Sequence, residues 1–513
     1  MSGGLSLGAV VVVCALTIVI GGFGLRLSRA TSDFYVAGRS VSPWLNASAI
    51  GGEYLSAASF LGVAGLIYDF GVDQLWLPVG YTLGYLALLL LVAAPMRRSG
   101  SYTLPDFAQA RLGSPPVRGL AAFLVVAIGW LYLLPQFQGA SLVLTLVAGV
   151  PAWVGGVLVA VVVAIAVGAG GMRSITFTQA VQYWIKLTAI AAPAMVLLVL
   201  WVRAGAPGPV VADPGWEIPL TERYAGDHPA YRTMSTMLAL CLGTMGLPHV
   251  IVRYYTNPDG GRARRTTVHV LALLGIFYVV PPLYGVLGRV ALPELPAGMR
   301  SDSIVLTLPS HALPGLWGDV LTALLAGGAF AAFLSTASGV AMSVVGVLDQ
   351  SLFSGWLARL SAGDAPPKRS FRIAAVVAVV VPYAASRLFA PLGLATTIVI
   401  AFTVAASTFA PLLLLGVWWP ELSTAGAAAG LVAGGLTSSL AIVVGIRWGP
   451  LPGWPGALLS SPGLWCVPLA TATAVIVSLA TPGRVPARTS RIMARLHTPE
   501  RARVARSAGR PGS

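Results

Sequence analysis

The sequence predicts an all-α polytopic membrane protein of about thirteen transmembrane helices. Three observations predict it. The 513 residues are 56% hydrophobic and only 10% charged, with a mean hydropathy of +0.82, whereas soluble domains average about a quarter charged residues. Apolar runs long enough to cross a bilayer, roughly 20 residues each, recur along the whole chain. The loops between them alternate between Arg-rich and Arg-poor, as the positive-inside rule demands of successive passes.

Hydropathy places the spans at about 5–25, 45–70, 74–95, 118–149, 151–170, 176–203, 234–255, 266–290, 319–348, 371–389, 394–418, 424–446 and 463–481. The first run ends in Arg26 and Arg29 without a basic start or a convincing cleavage site, so it reads as a retained span rather than a signal peptide. With the N-terminus outside, the cytoplasmic loops carry Arg26, Arg29 and Arg39, then Arg97, Arg98, Arg111 and Arg118. Later ones carry Arg173, then Arg253, Arg262, Arg264 and Arg265, then Arg359, Lys368 and Arg369. The C-terminal tail beyond Pro482, with Arg484, Arg488, Arg491, Arg495, Arg501, Arg503, Arg506 and Arg510, is then cytoplasmic. The opposite loops carry Asp213, Glu217, Glu222, Asp227, Glu294 and Asp302. Odd parity follows from this asymmetry, and a plasma-membrane location is expected.

The net charge of +15 belongs to these loops and suits an anionic membrane surface; it calls for no nucleic acid. Cys14, Cys241 and Cys466 are far apart and show no ligand spacing, so neither a metal site nor a disulfide framework is expected. No HExxH, GxSxG or Walker sequence occurs. An enzyme is therefore not expected, and neither an organic cofactor nor an obligate protein partner is called for. The long loops, about 204–233 and 291–318, hold Pro, Gly and acidic residues and read as caps.

Three segments depart from plain apolar helices. Asn46–Gly62 places Gly51, Gly52 and Glu53 in mid-span, with Ser56 and Ser59 close by. A carboxylate at that depth must be paired, protonated or near water. The paired glycines permit an unwound stretch whose carbonyls can bind a cation; the alternative is a glycine packing seam. Cys241–Tyr255 is interrupted by Gly243, Gly246 and Pro248, with His249 and Arg253 four apart. Either these two face a midplane site or they mark a helix end at the interface. Paired interruptions in two segments point to an inverted-repeat transporter with its site between them. Gly327–Leu348 carries Ser335, Thr336 and Ser338 among small residues, whose hydroxyls either bond their own backbone or present oxygens to a hard cation.

At these residues the sequence resembles the sodium:solute symporter family, and within it the cation/acetate, or monocarboxylate, branch. The resemblance runs from about Ser32 to Leu422. It rests on SDFYVAGRS (32–40), GGEYLSAASFLG (51–62), GSYTLPDFAQARL (100–112), GGMRSITFTQAVQ (170–182), GLPHVIVRYYTNPD (246–259), FLSTASG (333–339) and AFTVAASTFAPLLLLGVWWPEL (401–422).

The resemblance implies a LeuT-type core of two inverted five-helix repeats, 45–203 and 234–418. One span (within 1–44) would precede it and two (419–481) would follow, with a basic tail from 482. It implies a sodium ion held by the carbonyls of Gly52, Leu55 and Ala332 and the hydroxyls of Ser335 and Thr336. Where some members carry an acidic residue near that ion, this chain has Gln179; where the branch has Asp, it has Glu53. A small carboxylate such as acetate, propionate or pyruvate would then bind near Glu53, Ser56, Ser59, Tyr132, Gln136, Gly246 and His249. Backbone amides at the broken helix ends suit its charge. The expected partners are sodium, a small organic anion and the lipid bilayer. Other readings are a proline or sugar symporter, proton coupling through Glu53 and His249, or a transporter-like membrane sensor.

Overall fold

The computed structural model describes residues 3–25, 37–208, 214–222, 226–296, 298–353, 367–388, 392–449 and 451–500. The loop residues Arg26, Arg29, Asp213 and Arg359, the start of the 32–40 motif, and Arg501, Arg503, Arg506 and Arg510 lie outside them. Among the described residues, eleven helices are long and apolar enough to cross a membrane.

Two of these hold more than one predicted pass. Trp153–Arg203 runs 51 residues, about 76 Å at 1.5 Å per residue, more than twice the roughly 30 Å hydrocarbon core. It divides at Gly171, whose φ of 61° and ψ of −173° form a backbone state open to glycine and little else. The break falls between the predicted spans 151–170 and 176–203. The Ala58–Ser99 run, 42 residues long, likewise turns at Gly71 (φ 76°), where a Cβ would meet the Trp216 carbonyl.

Burial ranks the helices. Leu316–Leu348 is buried on every side over its second half, as expected of a helix apolar all round. It packs against Trp153–Arg203, Gly3–Leu25 and Pro115–Ala148. The peripheral pair Thr424–Trp448 and Gly463–Ala480 pack on one another through Gly426, Gly430 and Gly434, whose missing side chains admit Ser478, Ala474 and Ala470. Such small-residue spacing lets helix backbones approach closely in lipid. Leu436, Leu440 and Ile476 turn outward and are exposed, which places apolar surface toward lipid.

The two loop segments read as caps tie down the helix ends. Trp216 Nε1 donates to the Tyr68 carbonyl at 3.2 Å, and Leu220 N donates to Asp73 Oδ1 at 2.7 Å. The short helix Ile304–Ala312 packs onto Leu316–Leu348. At the opposite end of the sequence the tail helix Thr489–His497 docks on the helical body. Arg111, fully buried, donates to the Gly416 carbonyl at 3.0 Å, to Thr489 Oγ1 at 3.1 Å and to the Trp419 and Pro420 carbonyls at 3.0 Å.

Candidate functional site

The second predicted span is broken. Its first half, Pro43–Tyr54, is capped by Ser42, whose hydroxyl accepts from Leu45 N, and opens with Pro43 at the first helical position. It ends at Leu55, whose ψ of 88° leaves the helix. The helix resumes at Ala57 and passes through a π-turn at Ala58–Gly62 into Val63–Phe70. The unwound stretch is thus Leu55–Ser56, just past the glycines where the sequence suggested it. Gly51 and Gly52 remain helical because their bare Cα faces meet the Tyr183 ring and the Gln179 carbonyl, where a Cβ would collide.

The seventh span is interrupted as well. Pro229–Gly246 and Pro248–Tyr255 are separated by Leu247 in an extended conformation (φ −68°, ψ 121°). Pro248 cannot donate into a continuing ladder and biases the residue before it away from the helix. Gly246 lies on the Ala405 carbonyl, with no room for a side chain.

Between the two breaks lies a buried polar network. Glu53 Oε2 forms an ion pair with Arg253 Nε. Arg253 also donates to Gln179 Oε1, to Thr176 Oγ1 at 2.8 Å and to Met172 Sδ at 3.2 Å. Gln179 Nε2 passes the chain on to the Ser335 carbonyl at 2.7 Å. Thr336 Oγ1 donates to the Glu53 carbonyl at 2.6 Å. Arg253 therefore lies inside the protein rather than at the interface, with 1% of its surface exposed. An isolated charge at that depth is costly, and pairing with hydrogen-bond satisfaction is the condition for keeping it.

The oxygens implied for a cation come together in part. Lys186 Nζ donates to the Gly52 carbonyl, to the Leu55 carbonyl at 2.8 Å and to Ser335 Oγ at 2.9 Å. Ser335 Oγ is 2.6 Å from the Gly52 carbonyl and 3.1 Å from that of Ala332. Any ion touching Gly52, Leu55 and Ser335 at once would claim the volume of the Lys186 amine, and a second positive charge there would be repelled. The residues present therefore do not fit a sodium ion at that point. Sequence reading missed Lys186. The available signal was one of two lysines in the chain, lying in an apolar span, where an ionisable group is functional by default.

Of the residues expected around a substrate, Glu53 lies in the Arg253 network, while Ser56, Tyr132, Gln136 and His249 gather at the unwound stretch. Gln136 Oε1 accepts from Ala57 N at 3.1 Å, so this side chain satisfies the first amide after the break. Tyr132 meets His249 edge to face, with ring centroids 4.8 Å apart, and packs against Phe402 at 5.9 Å. The Ser56 hydroxyl bonds Tyr132. Ser59 is elsewhere: its hydroxyl pairs with Tyr278 at 2.9 Å. All these side chains are closed to solvent. Glu53 Oε1 and His249 Nε2 are among the buried polar atoms that have no hydrogen-bond partner among the described residues. Formally, Arg253 and Lys186 outnumber Glu53 by one positive charge.

Comparison with known proteins matches this architecture. The Sodium:solute symporter family profile covers residues 34–434. The chain is 30% identical over 471 residues to the Uncharacterized symporter YwcA of Bacillus subtilis, covering 89% of this chain and 90% of that protein. It is 30% identical over 501 residues to the Monocarboxylic acid transporter of Corynebacterium glutamicum, covering 91% and 89%. Among solved structures, a Na+-coupled sialic acid symporter in a substrate-bound, outward-open state superposes with a TM-score of 0.69 at 15% identity, over 93% of this chain and 97% of that one. Mhp1, a nucleobase-cation-symport-1 family transporter, superposes with a TM-score of 0.54 at 12% identity, over 91% and 99%. These are LeuT-type folds.

Proposed function

The chain belongs to the sodium:solute symporter family, and we propose that it is a symporter of a small monocarboxylate of the size of acetate, propionate or pyruvate. The family and fold are those of secondary transporters, not enzymes. Sodium, the family's coupling ion, is the driving ion to test first. The five-helix repeats are assigned to 45–203 and 234–418, with the cytoplasmic tail that the loop arginines favour and a plasma-membrane location.

The observation that carries the substrate class is the cluster at the Leu55–Ser56 break. It joins an excess positive charge to the unpartnered His249 Nε2, beside Tyr132, Ser56 and Gln136. A buried polar atom without a partner is costly, and with its proton on Nε2 the ring would donate to a carboxylate oxygen. Glu53 keeps Arg253 neutralised, so the anion is not captured irreversibly by a bare guanidinium. The relative named as a monocarboxylic acid transporter supports the same class.

Transport requires that the two helical groups rock about this fixed site, opening it to one side at a time. Cation and substrate are coupled only in so far as each favours the conformation that the other binds. Counterflow of labelled acetate, propionate and pyruvate in proteoliposomes, with and without sodium, tests the reading. Exchange of at least one of them is expected, with proline and glucose failing to compete. Exchange of proline or a sugar, with no carboxylate competing, would replace it.

A further inference from the structure

Lys186 sits fifteen positions after the Gly171 break and seventeen before Arg203, roughly 22 and 25 Å along the axis at 1.5 Å per residue. It is therefore near the middle of its pass. A lysine placed there by accident would snorkel, laying its stem along the helix and its amine toward water. This one does the reverse: it is wholly buried and points into the centre of the fold.

Its amine is also fully used. An ammonium has three donors and no acceptor, and this one meets three oxygens: the Gly52 and Leu55 carbonyls and Ser335 Oγ. Two of the three are carbonyls at the C-terminal end of the Pro43–Tyr54 helix, where the helix dipole is negative and cations are stabilised. The third comes from Leu316–Leu348. The amine thus pins the unwound turn to that helix, the same bridge that the family resemblance assigned to a sodium ion. Glu53 is the charged group that interacts with it among the described residues, and no ion pair within 4.0 Å joins the two. Arg253 lies behind Glu53 and holds its carboxylate. On the other helices packed against Trp153–Arg203, Cys14, Tyr132 and Tyr284 are buried titratable side chains among the described residues, and Tyr284 is engaged with the Ile190 carbonyl at 2.8 Å.

We infer that the Lys186 ammonium is a tethered cation that takes the place of sodium between Gly52, Leu55 and Ser335, so this chain binds no sodium there. The inference rests on the symporter reading only for its meaning in coupling. Sodium that drives transport would bind at other oxygens.

The test uses the purified full-length protein and no carboxylate, so its outcome is independent of the counterflow experiment. Thermal unfolding is followed by tryptophan fluorescence while sodium replaces choline at constant ionic strength. Ligands that bind only the folded state raise the midpoint with the logarithm of their concentration. Lys186→Ala removes the amine and leaves the three oxygens; its midpoint is lower than wild type in choline and climbs with sodium. Adding Ser335→Ala to it removes that climb. A Lys186→Ala protein indifferent to sodium would overturn the inference. Should Lys186→Ala not fold, sodium binding to wild type and to Ser335→Ala decides. Binding that is absent, or is unchanged by Ser335→Ala, supports the tethered cation, and wild-type binding abolished by Ser335→Ala overturns it.

Discussion

Glu53 and Arg253 lie 200 positions apart in sequence, yet their side chains form one ion pair with 3% and 1% of their surfaces exposed. They link the two interrupted helices. Removing one partner of a buried pair strands the other charge and typically costs about 3–5 kcal/mol, whereas replacing both by neutral groups costs far less. Arg253→Leu and Glu53→Leu are each expected to lower the unfolding midpoint sharply. The double variant recovers much of the loss. Single variants that melt like wild type would show that the pair contributes little to folding.

Gln136 satisfies the Ala57 amide just past the unwound turn. Gln136→Leu leaves that buried donor unpaired, a penalty of about 1–3 kcal/mol. Gln136→Glu keeps an acceptor in the same place. Initial-rate uptake of the best counterflow substrate should fall strongly in Gln136→Leu, and Gln136→Glu keeps the turn's stability only with its carboxyl protonated, since an unpaired charge at that depth is costly. Equal thermal stability of Gln136→Leu and wild type would contradict the capping role.

His249 contacts Tyr132 and presents a ring nitrogen without a partner. If it meets the carboxylate, His249→Phe conserves the edge contact and removes the polar atom. The expected outcome is a KM for uptake raised roughly tenfold, equivalent to about 1.4 kcal/mol, with unfolding unchanged. A KM within twofold of wild type would remove His249 from the substrate's surroundings.

The Gly52 Cα lies against the Gln179 carbonyl, where a Cβ has no space, while Gly119 has nothing within 4 Å of the same position. Gly52→Ala should therefore destabilise the protein by about 1–3 kcal/mol through overpacking. Gly119→Ala, in an open helical position, should be neutral or slightly stabilising, since Ala is the better helix former. Comparison of the two melting curves in detergent checks the pair.

Arg111 gathers three main-chain carbonyls and the Thr489 hydroxyl. It thereby ties the short helix Leu104–Leu112 to the tail helix Thr489–His497. Arg111→Ala leaves these acceptors unpaired and should release the tail helix, which carries Arg491 and Arg495 as trypsin sites. Limited trypsin digestion should cut the variant after those residues well before wild type. Identical digestion patterns would show the tail held by Leu496 and His497 instead, the former buried and the latter bonded to the Val417 carbonyl at 2.9 Å.

Much of the site was legible because it is built from rule-breaking residues. Glu53 in mid-span, Pro248 inside a pass and the hydroxyls of Ser335 and Thr336 each violate the plain apolar pattern; Glu53 and the two hydroxyls bond within the site, and Pro248 marks one of the two breaks. The break near Glu53 was misplaced by a few residues for a physical reason. Glycine in a membrane helix signals either unwinding or close packing, and composition alone does not separate the two. Here Gly51 and Gly52 pack, and Leu55–Ser56 unwinds. Arg253 was equally ambiguous: four residues from His249 on one face, it fitted a helix end at the interface as well as a midplane site.

Hydropathy, loop charge and motif by themselves determined the class of this protein, its passes and the two interrupted helices. These are local properties, because the bilayer acts on each segment separately and demands roughly the same apolar length of all of them. Only the tertiary structure decided what fills the space between the interrupted helices. Lys186 reaches Gly52 and Leu55 across more than 130 positions of chain, and no spacing rule within a helix encodes that meeting. It depends on which face of the 153–203 helix turns inward after Gly171, and packing against Leu316–Leu348 sets that face.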